Sequence, residues 1–154
     1  MNGAAIVKQF IIALESQEYT LASAYLADDC TFTSNLPRPL DKKQFIALMK
    51  ELKYGLPNLS LNASDIHETN NELEQEQSVE CTVQLTGTQS NIMELVPLSL
   101  PPISETNRLV RLPVEHWHFT IINDQITAIV VPPVPGGGIP GLLAQLGVNI
   151  PIIQ

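Results

Sequence analysis

The stretch Glu115-His-Trp-His-Phe-Thr-Ile-Ile-Asn-Asp-Gln-Ile-Thr-Ala-Ile-Val-Val131 decides the fold. Apolar residues alternate on both sides of Asn123-Asp124, and Asn and Asp both tolerate positive φ. The stretch therefore reads as a strand, a tight two-residue turn and a returning strand. Such a turn sets Ile121 opposite Ile126 and Phe119 opposite Ala128. The odd face, from Arg111 and Pro113 through Glu115 and Trp117 to Phe119 and Ile121, is predicted to point inward, because burying Trp and Phe gains more than burying smaller groups. His116 and His118 then fall on the outer face.

Upstream, the same period of two runs through about Leu59–Glu68, Leu73–Gly87 and Leu109–Ile122, with Gln125–Val131 as the last strand. In the second of these, Leu73, Val79, Cys81, Val83 and Leu85 share the inward face, and Glu74, Glu76, Ser78, Glu80, Thr82 and Gln84 the other. Asn70-Asn71 is a second candidate turn. Before Leu59 the rhythm changes to three and four. Ile6, Val7, Phe10, Ile11 and Leu14 line a first helix, and Leu21 to Leu26 a second that ends near Asp28. Cys30–Thr33 forms a short strand. Asp41 caps a third helix, with Gln44 placed for a capping box, Phe45, Leu48, Met49 and Leu52 as its stripe, and Gly55 and Pro57 as its end. Helices first and strands after predict an α+β domain, with three N-terminal helices packed on a mostly antiparallel sheet. The long excursion between Gly87 and Leu109, with Pro97, Pro101 and Pro102, is either functional or hides an element.

At 154 residues, 44% hydrophobic and 16% charged, the chain reads as one globular unit. Its net charge of −8 argues against a nucleic-acid partner, which needs a basic footprint. No stretch reads as a membrane span or a secretory signal, since Lys8 interrupts the first apolar run, so the expected location is cytoplasmic. Cys30 and Cys81 lie in strand-like apolar surroundings and read as buried hydrophobes. Asp28-Asp29 reads as an acidic pair at a helix end. No Gly-x-Gly-x-x-Gly, Walker loop, Gly-x-Ser-x-Gly or Cys-x-x-Cys occurs, and no cofactor is expected.

Thr86-Gly87-Thr88-Gln89, the proline excursion with Pro101-Pro102, Leu109-Val-Arg-Leu-Pro113 and the hairpin from Trp117 to Ile126 together resemble the nuclear transport factor 2-like superfamily, and within it the SnoaL-like polyketide cyclase and ketosteroid isomerase relatives. The resemblance covers roughly Ala4 to Val131. It implies a cone-shaped cystatin-like fold whose strongly curved sheet encloses a pocket for a small hydrophobic molecule, commonly in a homodimer. The residues expected to line that pocket are Tyr25, Phe32, Tyr54, Gln89, Arg111, Trp117 and Phe119. The chain departs from the cyclases at Gln89, where they often carry histidine, and at Ile126–Val131, where they often end in a catalytic carboxylate.

Glu115 is the candidate catalytic residue. Beside Trp117 on an inward face, its carboxyl would be desolvated and could serve as a general base for a proton next to a carbonyl, in an isomerase or cyclase. The alternatives are a pair with Arg111, two steps along the same face, or exposure at a sheet edge. Tyr25 and Tyr54 are candidate donors to an enolate oxygen, or plain amphipathic filler. His116 and His118 alternate as some metal ligands do, with Glu80 as a third if the register allows. The outer-face reading instead makes them subunit-interface residues, and no metal site is expected. His67 stands alone. The tail, 132–154, is apolar and rich in Pro and Gly. Leu142, Leu143 and Leu146 can form one or two helical turns after Pro140, docking as a lid over the pocket or against a second subunit. Without the cyclases' usual acid/base, the expected role is binding a small hydrophobic molecule, with Glu115 catalysis as the alternative.

Overall fold

The computed structural model describes residues 2–70 and 75–148, and the side chain of Asn70 lies outside that description. Helix α1 (Gly3–Glu15) opens on Asn2, whose side chain accepts the Ala5 N–H at 2.8 Å. Helix α2 (Tyr19–Ala24) and strand β1 (Leu26–Thr33) follow, then β2 (Leu40–Asp41) and α3 (Lys42–Gly55). Strands β3 (Ser64–Asn70), β4 (Glu76–Val83) and β5 (Thr86–Thr88) come next. After the excursion come β6 (Leu109–Arg111), β7 (Glu115–Ile122), β8 (Gln125–Val130) and a fourth helix, α4 (Gly138–Gln145). The main sheet has the order β2-β1-β8-β7-β4-β3; only β1 and β8 run parallel. β5 and β6 form a separate antiparallel pair. This is the expected α+β architecture, with one helix more than the three N-terminal ones.

Asp41 caps α3 as expected. Its carboxylate accepts the Gln44 N–H at 2.8 Å, and the Gln44 side chain accepts the Asp41 N–H at 2.9 Å. Asp41→Ala is expected to lower stability by about 1 kcal/mol, read as a drop in thermal midpoint. Phe45, Leu48, Met49 and Leu52 are buried, and the Phe45 ring stands 4.8 Å from that of Phe32 on β1.

The second helix is shorter than its periodicity implied. The Tyr25 carbonyl accepts the Ile126 N–H, and Leu26 pairs with Ile126, so a ladder partner overrides the local helical pattern from Leu26 on. Asp28 and Asp29 thus lie exposed on a strand, not at a helix end, with Asp28 3.4 Å from Lys42. The inward parity of β4 holds for Val79, Cys81 and Val83, while Leu73 and the Asn70-Asn71 turn fall at or beyond the edge of the described residues. The parity of β7 holds too, with Glu115, Trp117, Phe119 and Ile121 buried and His116 and His118 exposed. Asn123 and Asp124 have φ of 52° and 63°, as the tight turn requires. Ile121 pairs with Ile126, but a bulge after Thr120 sets Phe119 opposite Ile129 rather than Ala128, which puts the larger side chain in the core.

The expected long strand Leu109–Ile122 is broken. Val83 pairs with Glu115 while Thr86 pairs with Arg111, so the chain gains one residue between β6 and β7. Pro113 lies in that extra length and has no N–H for the ladder. The slip flips the parity: Val110 and Leu112 are buried and Arg111 is exposed. The excursion also hides elements. A one-turn 3₁₀ helix (Val96–Leu98) and a Met93–Ile103 bridge close it over buried Met93, Leu95 and Ile103.

Candidate functional site

An apolar pocket with a free volume of about 50 Å³ lies between α3, the inner sheet face and α4. Leu48, Met49 and Leu52 line it from α3, Phe32 from β1, and Glu115 and Trp117 from β7. Gly138, Ile139 and Leu142 close it from α4. Its volume is well below that of the engineered cavity of about 150 Å³ that admits benzene.

Glu115 reaches this pocket because β7 alternates and its odd face turns inward; the residue is 6% exposed. Burial pushes its carboxyl above the ordinary range, and a hydrogen bond from the Gly138 N–H works in the opposite direction. That N–H opens α4, whose cap residue Gly137 offers no side-chain acceptor, so the helix start faces the Glu115 carboxyl. Gly137 permits the approach: a Cβ there would sit 3.0 Å from the Glu115 Oε2. Trp117, the chain's single tryptophan, packs 5.9 Å from Phe32, and its indole N–H is buried without a hydrogen-bond partner among the described residues.

A raised folded-state carboxyl carries a stability consequence. Below its ordinary value of 4.5, Glu115 is protonated folded and unfolded, and its burial is at its least costly. As pH rises through the folded value, that favourable contribution is lost. Glu115→Gln is therefore expected to raise the thermal midpoint by a few degrees at pH 7, the gain closing toward pH 4.5; matched melts across that window check it.

Of the residues expected in the pocket, Phe32, Glu115 and Trp117 come together there. Phe119 is buried one layer away, its ring 6.3 Å from Phe10. Tyr25 follows α2 and does not line the pocket, and Tyr54 is 61% exposed at the far end of α3. Gln89 is fully buried, but its side chain staples the excursion. Its Nε2 donates to the Ile103 and Ser104 carbonyls at 3.0 and 3.1 Å, and its Oε1 accepts from Thr106 N and Oγ1. Arg111 faces out after the register slip and forms no pair with Glu115. Its backbone N–H and C=O are instead bonded by the Gln145 side chain, both at 2.8 Å. Sequence reading missed Ser34, Leu112 and the α4 contributions, although the leucines after Pro140 signalled a docked helix.

On the outer face, Glu80 stands between two imidazoles. His118 Nε2 lies 3.3 Å and His67 Nε2 3.7 Å from its carboxylate, so His67 does not stand alone. No group of three or more His, Cys, Asp or Glu among the described residues is arranged to hold a metal ion. The thiols of Cys30 and Cys81 are pushed up to about 11 and about 12 by burial and neighbouring carboxylates, which leaves them poor nucleophiles. No described helix is long and apolar enough to cross a membrane.

No family model matches the sequence, and no curated protein matches it. Solved structures do match. A candidate hydroxylase from Streptomyces galilaeus superposes with a TM-score of 0.68 at 13% identity, over 93% of each chain. A SnoaL-like polyketide cyclase from Agrobacterium tumefaciens gives 0.60 at 13% identity, over 85% of this chain and 91% of that one. The fold is SnoaL-like. A cystatin-fold protein from Novosphingobium aromaticivorans shares it, with a TM-score of 0.59 at 12% identity over 85% of this chain and 97% of that one.

Proposed function

We propose that this SnoaL-like protein binds a small hydrophobic molecule in the pocket beneath its sheet, with α4 as a lid. The observation that carries the reading is a single buried carboxylate, Glu115, beside Trp117 in walls that are otherwise almost wholly apolar. Such a site supplies affinity through apolar burial and orientation through one or two polar groups. A pocket of about 50 Å³ is too small for a fused-ring ligand, so a larger one requires α4 to move. Native mass spectrometry of the purified protein tests the reading: a retained small molecule supports it, and it also reports subunit number. We expect a homodimer through the outer sheet face, where Ile122 and Val130 lie exposed beside His116 and His118.

A second reading, catalysis, is favoured by the upward shift of the Glu115 carboxyl. Glu115 would take a proton from the carbon next to a carbonyl, and the Trp117 N–H, without a partner among the described residues, would be the donor to the resulting enolate oxygen rather than Tyr25 or Tyr54. Glu115→Gln is then expected to lower turnover of a keto-substrate panel by about a hundredfold or more, with the near-ultraviolet dichroism unchanged. Equal turnover by the variant removes this reading and leaves the binding one standing.

A further inference from the structure

We infer that the pocket selects a cationic ligand, an apolar amine whose ammonium group sits against Glu115 beside the packed pair of Trp117 and Phe32. This rests on the pocket reading above and adds the charge of the occupant.

The argument starts from what Glu115 lacks. Every other described residue lining the pocket is uncharged, whether it comes from α3, β1, β7, α4 or the connecting segments. No ion pair to Glu115 exists among the described residues, and the residues outside the description include no Lys, Arg or His. A buried carboxylate is ordinarily paired, because leaving its charge unmatched in an apolar site is expensive. The Gly138 N–H at the start of α4 favours the ionised form, but a helix end offsets only about half a charge. The remaining acceptor capacity faces a pocket that is open to a ligand.

The walls carry the second part. Phe32 and Trp117 both line the pocket, their centroids 5.9 Å apart and their planes tilted by 58°. Aromatic faces attract an ammonium group, and more strongly where water is excluded. An anionic ligand finds the opposite: no cation lines the pocket, and Glu115 repels it. A neutral ligand finds apolar walls but gives the ionised form of Glu115 no counter-charge. Of the three charge classes, only a cation answers both features.

Trp117 is the only tryptophan, so its emission reports on this pocket alone. The full-length protein would be titrated at pH 7 with n-hexylamine, n-hexanol and hexanoate, which share one alkyl chain and, being larger than the closed pocket, all require the same movement of α4. The expected order is amine, then alcohol about tenfold weaker, with hexanoate weakest. Glu115→Gln is expected to remove the amine's advantage over hexanol, bringing the two affinities together. Lowering the pH toward 4.5, with the amine still fully charged, is expected to weaken hexylamine and not hexanol in the wild-type protein, an arm that does not depend on the variant folding. If hexanol or hexanoate binds as tightly as hexylamine, the inference falls and the pocket reading stands. If none of the three changes the emission of Trp117, both fall.

Discussion

Gly141→Ala is expected to unseat α4. A Cβ at position 141 would overlap the carbonyl oxygen of Gly136, which belongs to the backbone and cannot rotate away. Two responses are open to the chain. Shifting the Gly136 peptide while keeping the helix docked costs about 1–3 kcal/mol, the usual range for forced overpacking. Releasing the helix exposes Leu142, Leu143 and Leu146, each worth about 2 kcal/mol when buried, offset in part by the chain entropy regained. The two are close enough that the variant should populate both, with a stability loss of about 2–3 kcal/mol. Trp117 emission should move to longer wavelength as water reaches the pocket, and backbone amides of 138–146 should lose hydrogen-exchange protection. A variant that melts with the wild type and keeps its emission would show that α4 is not held by this close approach.

Leu142→Ala should separate stability from binding. Leu142 is 1% exposed and touches the pocket, so truncation extends an existing hollow instead of creating a sealed void. Stability is expected to fall by about 3 kcal/mol, within the spread for buried leucines. Ligand affinity should move the other way, because the space added can be filled. Each further methylene a ligand buries there is worth about 0.8 kcal/mol, close to fourfold. Melting with and without a homologous series of n-alkyl ligands measures both quantities. A fall in stability with no chain-length dependence of the binding gain would place the ligand elsewhere.

What could be read from the sequence was whatever a local pattern dictates. Asp41 and Gln44 form their box because both partners are three residues apart on one helix. Trp117 and Glu115 face inward because a strand has a period of two and two aromatic rings outweigh the alternatives. The pocket's carboxylate followed from that parity alone. What could not be read depended on distant partners. Arg111 shares the odd numbering of Glu115, but one extra residue around Pro113 turns it to solvent, and nothing local marks where a ladder will slip. Gln89 is polar and sits after a glycine-threonine pair, the place for a ligand contact. Its amide meets three carbonyls of the excursion because that loop folds back on itself, which spacing cannot show. The acid at 115 was legible, whereas its approach to the start of a helix more than twenty residues downstream was not.

The amide of Gln145 has a consequence beyond holding the helix in place. By giving and taking one hydrogen bond each with Arg111, it imitates a peptide group of a neighbouring strand and blocks the outer margin of β6. Without it, that margin would offer an unsatisfied N–H and C=O to any extended chain that met it. Gln145 is therefore also a guard against adhesion, and losing it should show first as concentration-dependent self-association.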